Sequence, residues 1–174
     1  MVAPLVLAAS LLAACASPTA GAPRSAASPA SAASAASAVA GASLELNGVR
    51  VALTLHGRTL TATFAPERKG FHLYSAALPA GGVDGLGTPT RLAVRGSLTA
   101  TGPATANVPV RTLHLDALGV DLPVYPDGPV TLSLPVRRNA ASGGAEAVVS
   151  FGACSETQCL APVLDHIVPV PSSD

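Results

Sequence analysis

The chain has 174 residues, with 10 Lys and Arg against 10 Asp and Glu, and it is 49% hydrophobic but only 11% charged. A formal net charge of zero, with no run of Lys or Arg, leaves no electrostatic footprint for a phosphate backbone, so no nucleic-acid partner is expected. The length suits one ordinary domain, and no apolar stretch approaches the roughly 20 residues that a spanning helix needs.

Residues 2–14 are almost entirely Ala, Leu and Val, about the length of a signal-peptide h-region. They end in Leu12-Ala13-Ala14-Cys15, which resembles the lipobox of bacterial lipoproteins. That resemblance implies a signal peptide over 1–14, cleavage before Cys15, and a diacylglycerol group on the Cys15 thiol. An ordinary secretory signal with a free Cys nearby is the alternative. From Ala16 to Ala42 every residue except Arg24 and Val39 is Ala, Ser, Pro, Gly or Thr, a composition with almost nothing to bury. Residues 15–42 therefore read as a lipid-anchored linker, spanning on the order of 30 Å root-mean-square as a coil. The domain at 43–174 is expected in the extracytoplasmic space, tethered to the bacterial membrane.

From Ser43 onward the pattern changes to period-two alternation. Leu44, Leu46, Val49, Val51, Leu53 and Leu55 mark one run; Leu60, Ala62 and Phe64 mark the next, and His56-Gly57-Arg58 between them predicts a hairpin. Further strands are predicted at Phe71–Ser75, Arg91–Arg95, Val108–Leu115, Val130–Arg137, Ala145–Phe151 and His166–Val170, separated by Gly, Pro or Asn/Asp. No stretch after the linker holds a helical period for three turns. About eight short strands in about 130 residues predict an all-β, immunoglobulin-like antiparallel sandwich, with an open barrel as the alternative.

Few groups are left to carry chemistry. His56, His72, His114 and His166 are scattered singly without metal-ligand spacing, so no metal is expected. No Gly-rich phosphate loop, no nucleophile elbow and no close carboxylate pair is present, and no cofactor is implied. What remains is sulfur. Cys154 and Cys159 are separated by Ser-Glu-Thr-Gln. As a cross-strand pair flanking a four-residue loop, their Cα atoms would lie about 4.5–5.5 Å apart, within disulfide range. Closing so short a loop stabilises by only about 2 kcal/mol, against about 4.7 for a loop of about 100 residues. An exposed hairpin bridge is also open to attack by another thiolate, so a redox pair and a plain staple both fit.

Phe151-Gly-Ala-Cys154-Ser-Glu-Thr-Gln-Cys159-Leu-Ala-Pro162 resembles the strand-plus-hairpin motif of the N-terminal domain of the thiol:disulfide interchange protein DsbD, the disulfide bond corrector family. Lys69-Gly-Phe-His-Leu-Tyr74-Ser75 is similar to that family's Gly-aromatic-x-Leu/Ile-Tyr strand. The segment from Val124-Tyr125 to Val136 is similar to its Tyr-x-Gly/Asp-x-aliphatic stretch. The resemblance covers roughly Leu44 to Val170. It implies an immunoglobulin-like fold whose cysteine pair, here Cys154 and Cys159, relays reducing equivalents from a membrane-embedded electron donor to exported thioredoxin-like proteins. Tyr74, Tyr125 and Pro162 are the supporting motif residues. The family's cap loop, which shields the pair, falls on His114–Gly119, with Asp116 as an acidic residue and Leu118 in place of an aromatic. The resemblance ends with this domain, so the donor is expected on a separate polypeptide.

The implied activity is that of a thiol-disulfide oxidoreductase working through a mixed disulfide, in which one cysteine bonds to the partner and the other resolves it; the sequence leaves both assignments open, and the position of Cys159 at the outer edge of the motif favours it for the intermolecular bond. No Lys or Arg lies within the motif to depress a thiol pKa, so the activated thiolate would come from the partner. The competing class is a non-enzymatic surface lipoprotein, a binding module with a structural disulfide. A copper chaperone using both thiolates is a third reading, disfavoured because the only Met is Met1.

Overall fold

The structure is a computed structural model that describes residues 41–171; the signal segment, Cys15 and linker residues 16–40 lie outside the described residues. Thirteen strands and no helix occur among the described residues. Strand β1 (Gly41–Leu46) starts within the Ala/Ser/Pro-rich stretch and pairs with β2 (Val49–His56), which pairs in turn with β3 (Thr59–Pro66). The run predicted as continuous from Leu44 to Leu55 is thus two strands. Asn47 and Gly48, at φ 49° and 77°, form the two-residue turn between them, as hairpin turns with two positive φ values require. The hairpin at Gly57-Arg58 is present, with Gly57 at φ 56°.

β10 (Val130–Arg138) adds to β3, and its far edge carries β6 (Leu98–Ala100) and β7 (Thr105–Ala106). A second sheet orders β13 (Val163–Pro169), β11 (Ala145–Phe151) and β5 (Arg91–Gly96). Two small ribbons complete the fold: β4 (His72–Leu73) with β12 (Ala153–Cys154), and β8 (Arg111–Leu115) with β9 (Val120–Val124). The β8 strand begins after Pro109 rather than at Val108, because proline cannot donate to a ladder.

Register places the apolar residues in rows across the first sheet. Val51 and Val130 stand on either side of Phe64, Leu53 and Leu132 on either side of Ala62, and Leu55 and Leu134 on either side of Leu60. All are buried, and they share one core with Leu92, Ala147, Val149, Phe151 and Val168 of the second sheet. Phe64 and Phe151 meet edge to face across that core, with ring centroids 5.5 Å apart. The fold is an immunoglobulin-like antiparallel β-sandwich. Its two main sheets are separate ladders and not one continuous sheet.

Near its end, β11 loses register with β13. Leu164 and Asp165 stand together opposite Ser150, with Asp165 at φ 46°. The Ser150 hydroxyl donates to Asp165 Oδ1 at 3.1 Å and accepts from the Asp165 amide at 2.9 Å. The extra residue of this bulge is on β13; the ladder resumes with Phe151 opposite Val163, and the chain then pairs with β4.

Candidate functional site

Beyond the bulge, Ala153 pairs with Leu73 and Cys154 with His72. Cys154 also forms an isolated antiparallel bridge with Cys159, so the two cysteines stand directly across a four-residue loop as the spacing predicted. They form a disulfide with Cα atoms 4.0 Å apart, closer than the cross-strand expectation. Ser155 organises the loop. Its amide donates to the Gln158 carbonyl at 2.8 Å, and its hydroxyl accepts from the amides of Thr157 and Gln158.

The two sulfurs are not equivalent. Cys154 is 5% exposed and belongs to a small apolar cluster with Tyr74, Leu78, Leu122 and Val124, whereas Cys159 is exposed. Tyr74 Oη lies 3.2 Å from Cys154 Sγ. Burial pushes the Tyr74 hydroxyl pKa up from its usual 10.0, so the group stays protonated and donates to the sulfur. The backbone around Tyr74 closes tightly on the ring. A Cβ on Gly87, at φ 83°, would come within 2.9 Å of the Tyr74 ring, and one on Gly152 within 3.2 Å. Thr90 donates its hydroxyl to the Tyr74 carbonyl at 2.6 Å.

The other predicted residues fall into separate places. Tyr125 is buried in the sandwich core, where its hydroxyl accepts from the Ala76 amide at 3.1 Å; it holds the chain beside the site and does not touch the disulfide's hydrogen-bond network. Pro162 is exposed and lines a shallow groove with Cys159, Leu160, Gly85 and Gly87. Asp116 and Leu118 lie at the turn of the β8–β9 hairpin, Leu118 being 60% exposed. Leu113, Leu115 and Val120 of that hairpin pack against the cluster that contains Cys154. The turn faces a cleft of about 620 Å³, whose opposite wall includes Ser155 and Glu156 of the inter-cysteine loop.

Sequence reasoning named Asp116 as a cap-loop residue and His72 and His114 only as isolated histidines, and it missed the charged pairs that they form. His114 Nδ1 lies 2.7 Å from Asp121 and its Nε2 3.5 Å from Asp116. His72 is buried, with Nδ1 3.5 Å from Asp127 Oδ1, and Asp127 also pairs with Arg111 at 3.3 Å. Alternation within Phe71–Ser75 already placed His72 on the same strand face as Tyr74, and their rings meet edge to face at 6.2 Å.

Solved structures similar to the chain include one of a DsbD domain. It is the crystal structure of the Neisseria meningitidis DsbD N-terminal domain in its reduced form, with a TM-score of 0.49 and 14% sequence identity, covering 73% of this chain and 87% of that one. No family model and no curated protein matches the chain.

Proposed function

We propose that the chain is an extracytoplasmic thiol-disulfide exchange module whose working pair is Cys154 and Cys159. The observation that carries this reading is the asymmetry of the pair: an exposed cysteine joined, across a short loop, to a buried cysteine whose sulfur already has a hydroxyl donor. A donor thiolate attacks Cys159 Sγ, the bond to Cys154 breaks, and Cys154 leaves as a thiolate held by the Tyr74 hydroxyl. A second donor thiol then attacks the mixed disulfide and releases Cys159, leaving the module as a dithiol and the donor oxidised. Running the same steps against an oxidised protein disulfide transfers the two electrons onward. The donor in this reading is a membrane-embedded protein, and the acceptors are exported thioredoxin-like proteins.

A lipid group on Cys15 would hold the module at the membrane surface. Fatty-acid labelling should mark the wild type and not Cys15→Ala; labelling that survives the substitution removes the lipoprotein reading.

The exchange reading is tested by trapping. Cys154→Ala leaves Cys159 without a resolving thiol, so it should accumulate a reductant-sensitive complex with a thioredoxin-like protein, while Cys159→Ala and the double variant trap nothing. If Cys154→Ala captures no partner and the oxidised chain resists a thioredoxin-like donor at roughly −270 mV, the binding-module reading with an inert staple replaces this one.

A further inference from the structure

The exchange reading, on which this inference rests, leaves one proton unassigned. When a substrate sulfur is bound to Cys159, Cys154 must lose its thiol proton before it can attack. Tyr74 cannot accept it, because its buried hydroxyl is held protonated. Across the β4–β12 ladder, the residue paired with Cys154 is His72. Residues directly opposite in an antiparallel pair project from the same face with Cβ atoms about 4.5–5.5 Å apart.

His72 is 3% exposed, and its two ring nitrogens are treated differently. Nδ1 faces Asp127 Oδ1 at 3.5 Å, which favours the tautomer with the proton on Nδ1. Nε2 is buried and has no hydrogen-bond partner among the described residues. A buried acceptor left without a partner is destabilising, and such atoms call for a functional account. We propose that His72 is the proton acceptor for Cys154 in the resolving step.

In that step the Cys154 thiol gives its proton to His72 Nε2, and the Cys154 sulfur attacks Cys159 Sγ. The Cys154–Cys159 bond forms, and the bond from Cys159 to the substrate sulfur breaks. The substrate sulfur leaves as a thiolate carrying the electron pair, and the imidazolium returns its proton to that thiolate or to water. Burial and the Arg111 guanidinium hold the His72 pKa below 6.5, against the opposing pull of Asp127, so the ring is neutral and able to accept at pH 7. The other groups around it are Tyr74 on its own strand and, along the cleft, His114, Asp116 and Glu156.

The test uses the full chain with Cys15→Ala, so that Cys154 and Cys159 are its only thiols, reduced and then mixed with 5,5′-dithiobis(2-nitrobenzoate). The first thionitrobenzoate release reports attack by Cys159. The second, independent of reagent concentration, reports resolution by Cys154. His72→Phe should leave the first phase unchanged and slow the second by about 10²-fold at pH 7, with the difference closing towards pH 9 as the thiol ionises unaided. A second phase that is unchanged at pH 7, or slowed by the same factor at every pH, overturns the proposal; the latter result would show displaced cysteines. The assay needs no protein partner. Loss of partner trapping with a retained His72 effect would therefore remove the exchange reading alone, and trapping without a His72 effect would remove the proton acceptor alone.

Discussion

The interior between the two main sheets, whose longest strand has 9 residues, and the small cluster beneath the disulfide, whose ribbons have strands of 2 or 5 residues, are held by different forces. Between the sheets, rows of Val, Leu and Ala centred on Phe64 and Phe151 are fixed by register and close packing. Around the disulfide the polar residues gather: of the four buried polar residues among the described ones, His72 lies two positions before Tyr74, Ser75 follows it, and Thr90 donates to its carbonyl. The fourth, Ser150, is bonded to Asp165 in the bulge of β13, shortly before the chain reaches Cys154. Apolar burial is non-directional and stabilises the fold, whereas the directional bonds position a sulfur. Substitutions in the two regions should therefore separate stability from reactivity.

The largest effect belongs to the sandwich. Phe64→Ala removes one partner of the central aromatic pair and should lower unfolding free energy by about 3–5 kcal/mol in urea titrations. A loss below about 1 kcal/mol would mean that the pair is not central. Gly87→Ala strikes the other region. Its backbone sits at φ 83° and its Cβ would press on Tyr74 and Leu78, so a loss of about 2 kcal/mol is expected, together with a changed Cys154 reactivity towards small disulfides. Unaltered reactivity would show that the ring does not need this close approach.

Reducing the disulfide should cost the fold no more than about 2 kcal/mol, because the loop it closes is short. Circular dichroism should show the sandwich intact after reduction; outright unfolding would make the bridge a structural staple. Tyr74→Phe removes the donor to Cys154 Sγ and should shift the reduction potential by about 20–30 mV to more negative values, since the hydroxyl favours the reduced, more negative sulfur. The smallest effect is on pH. The His72 pKa is lower in the folded chain than the 6.5 of an unfolded histidine, so the unfolded state binds more protons as the pH falls through 6.5. Stability should decline from about pH 7 downward until the folded value is passed, and His72→Phe should flatten that part of the curve. An identical slope in the variant would assign the decline to other groups.

The sandwich was legible because its strands alternate cleanly. β2, β3 and β10 present Val, Leu, Ala or Phe at every second position, the pattern of strands with one face on a core. What the pattern concealed was phase. The step of three from Leu46 to Val49 is the sign of a turn at Asn47-Gly48, and it disappears when apolar residues are counted without their spacing. β9 escaped because Pro123, which has no ladder donor, demotes a run that otherwise alternates as Val120, Leu122 and Val124, although it pairs with β8 along its full length. The cysteine pair was legible from spacing, since five positions suit a cross-strand bridge. His72 was not, because its significance lies in a register with Cys154 that joins residues 82 positions apart in the chain. No local pattern encodes such a pairing.

The most direct test of the central claim is the reduction potential of the Cys154–Cys159 pair in the full chain with Cys15→Ala, measured by equilibration against glutathione and dithiothreitol buffers. An exchange pair with one exposed sulfur and a supported leaving group should lie above about −300 mV. A value below about −300 mV would place the bridge among inert structural disulfides and contradict the relay.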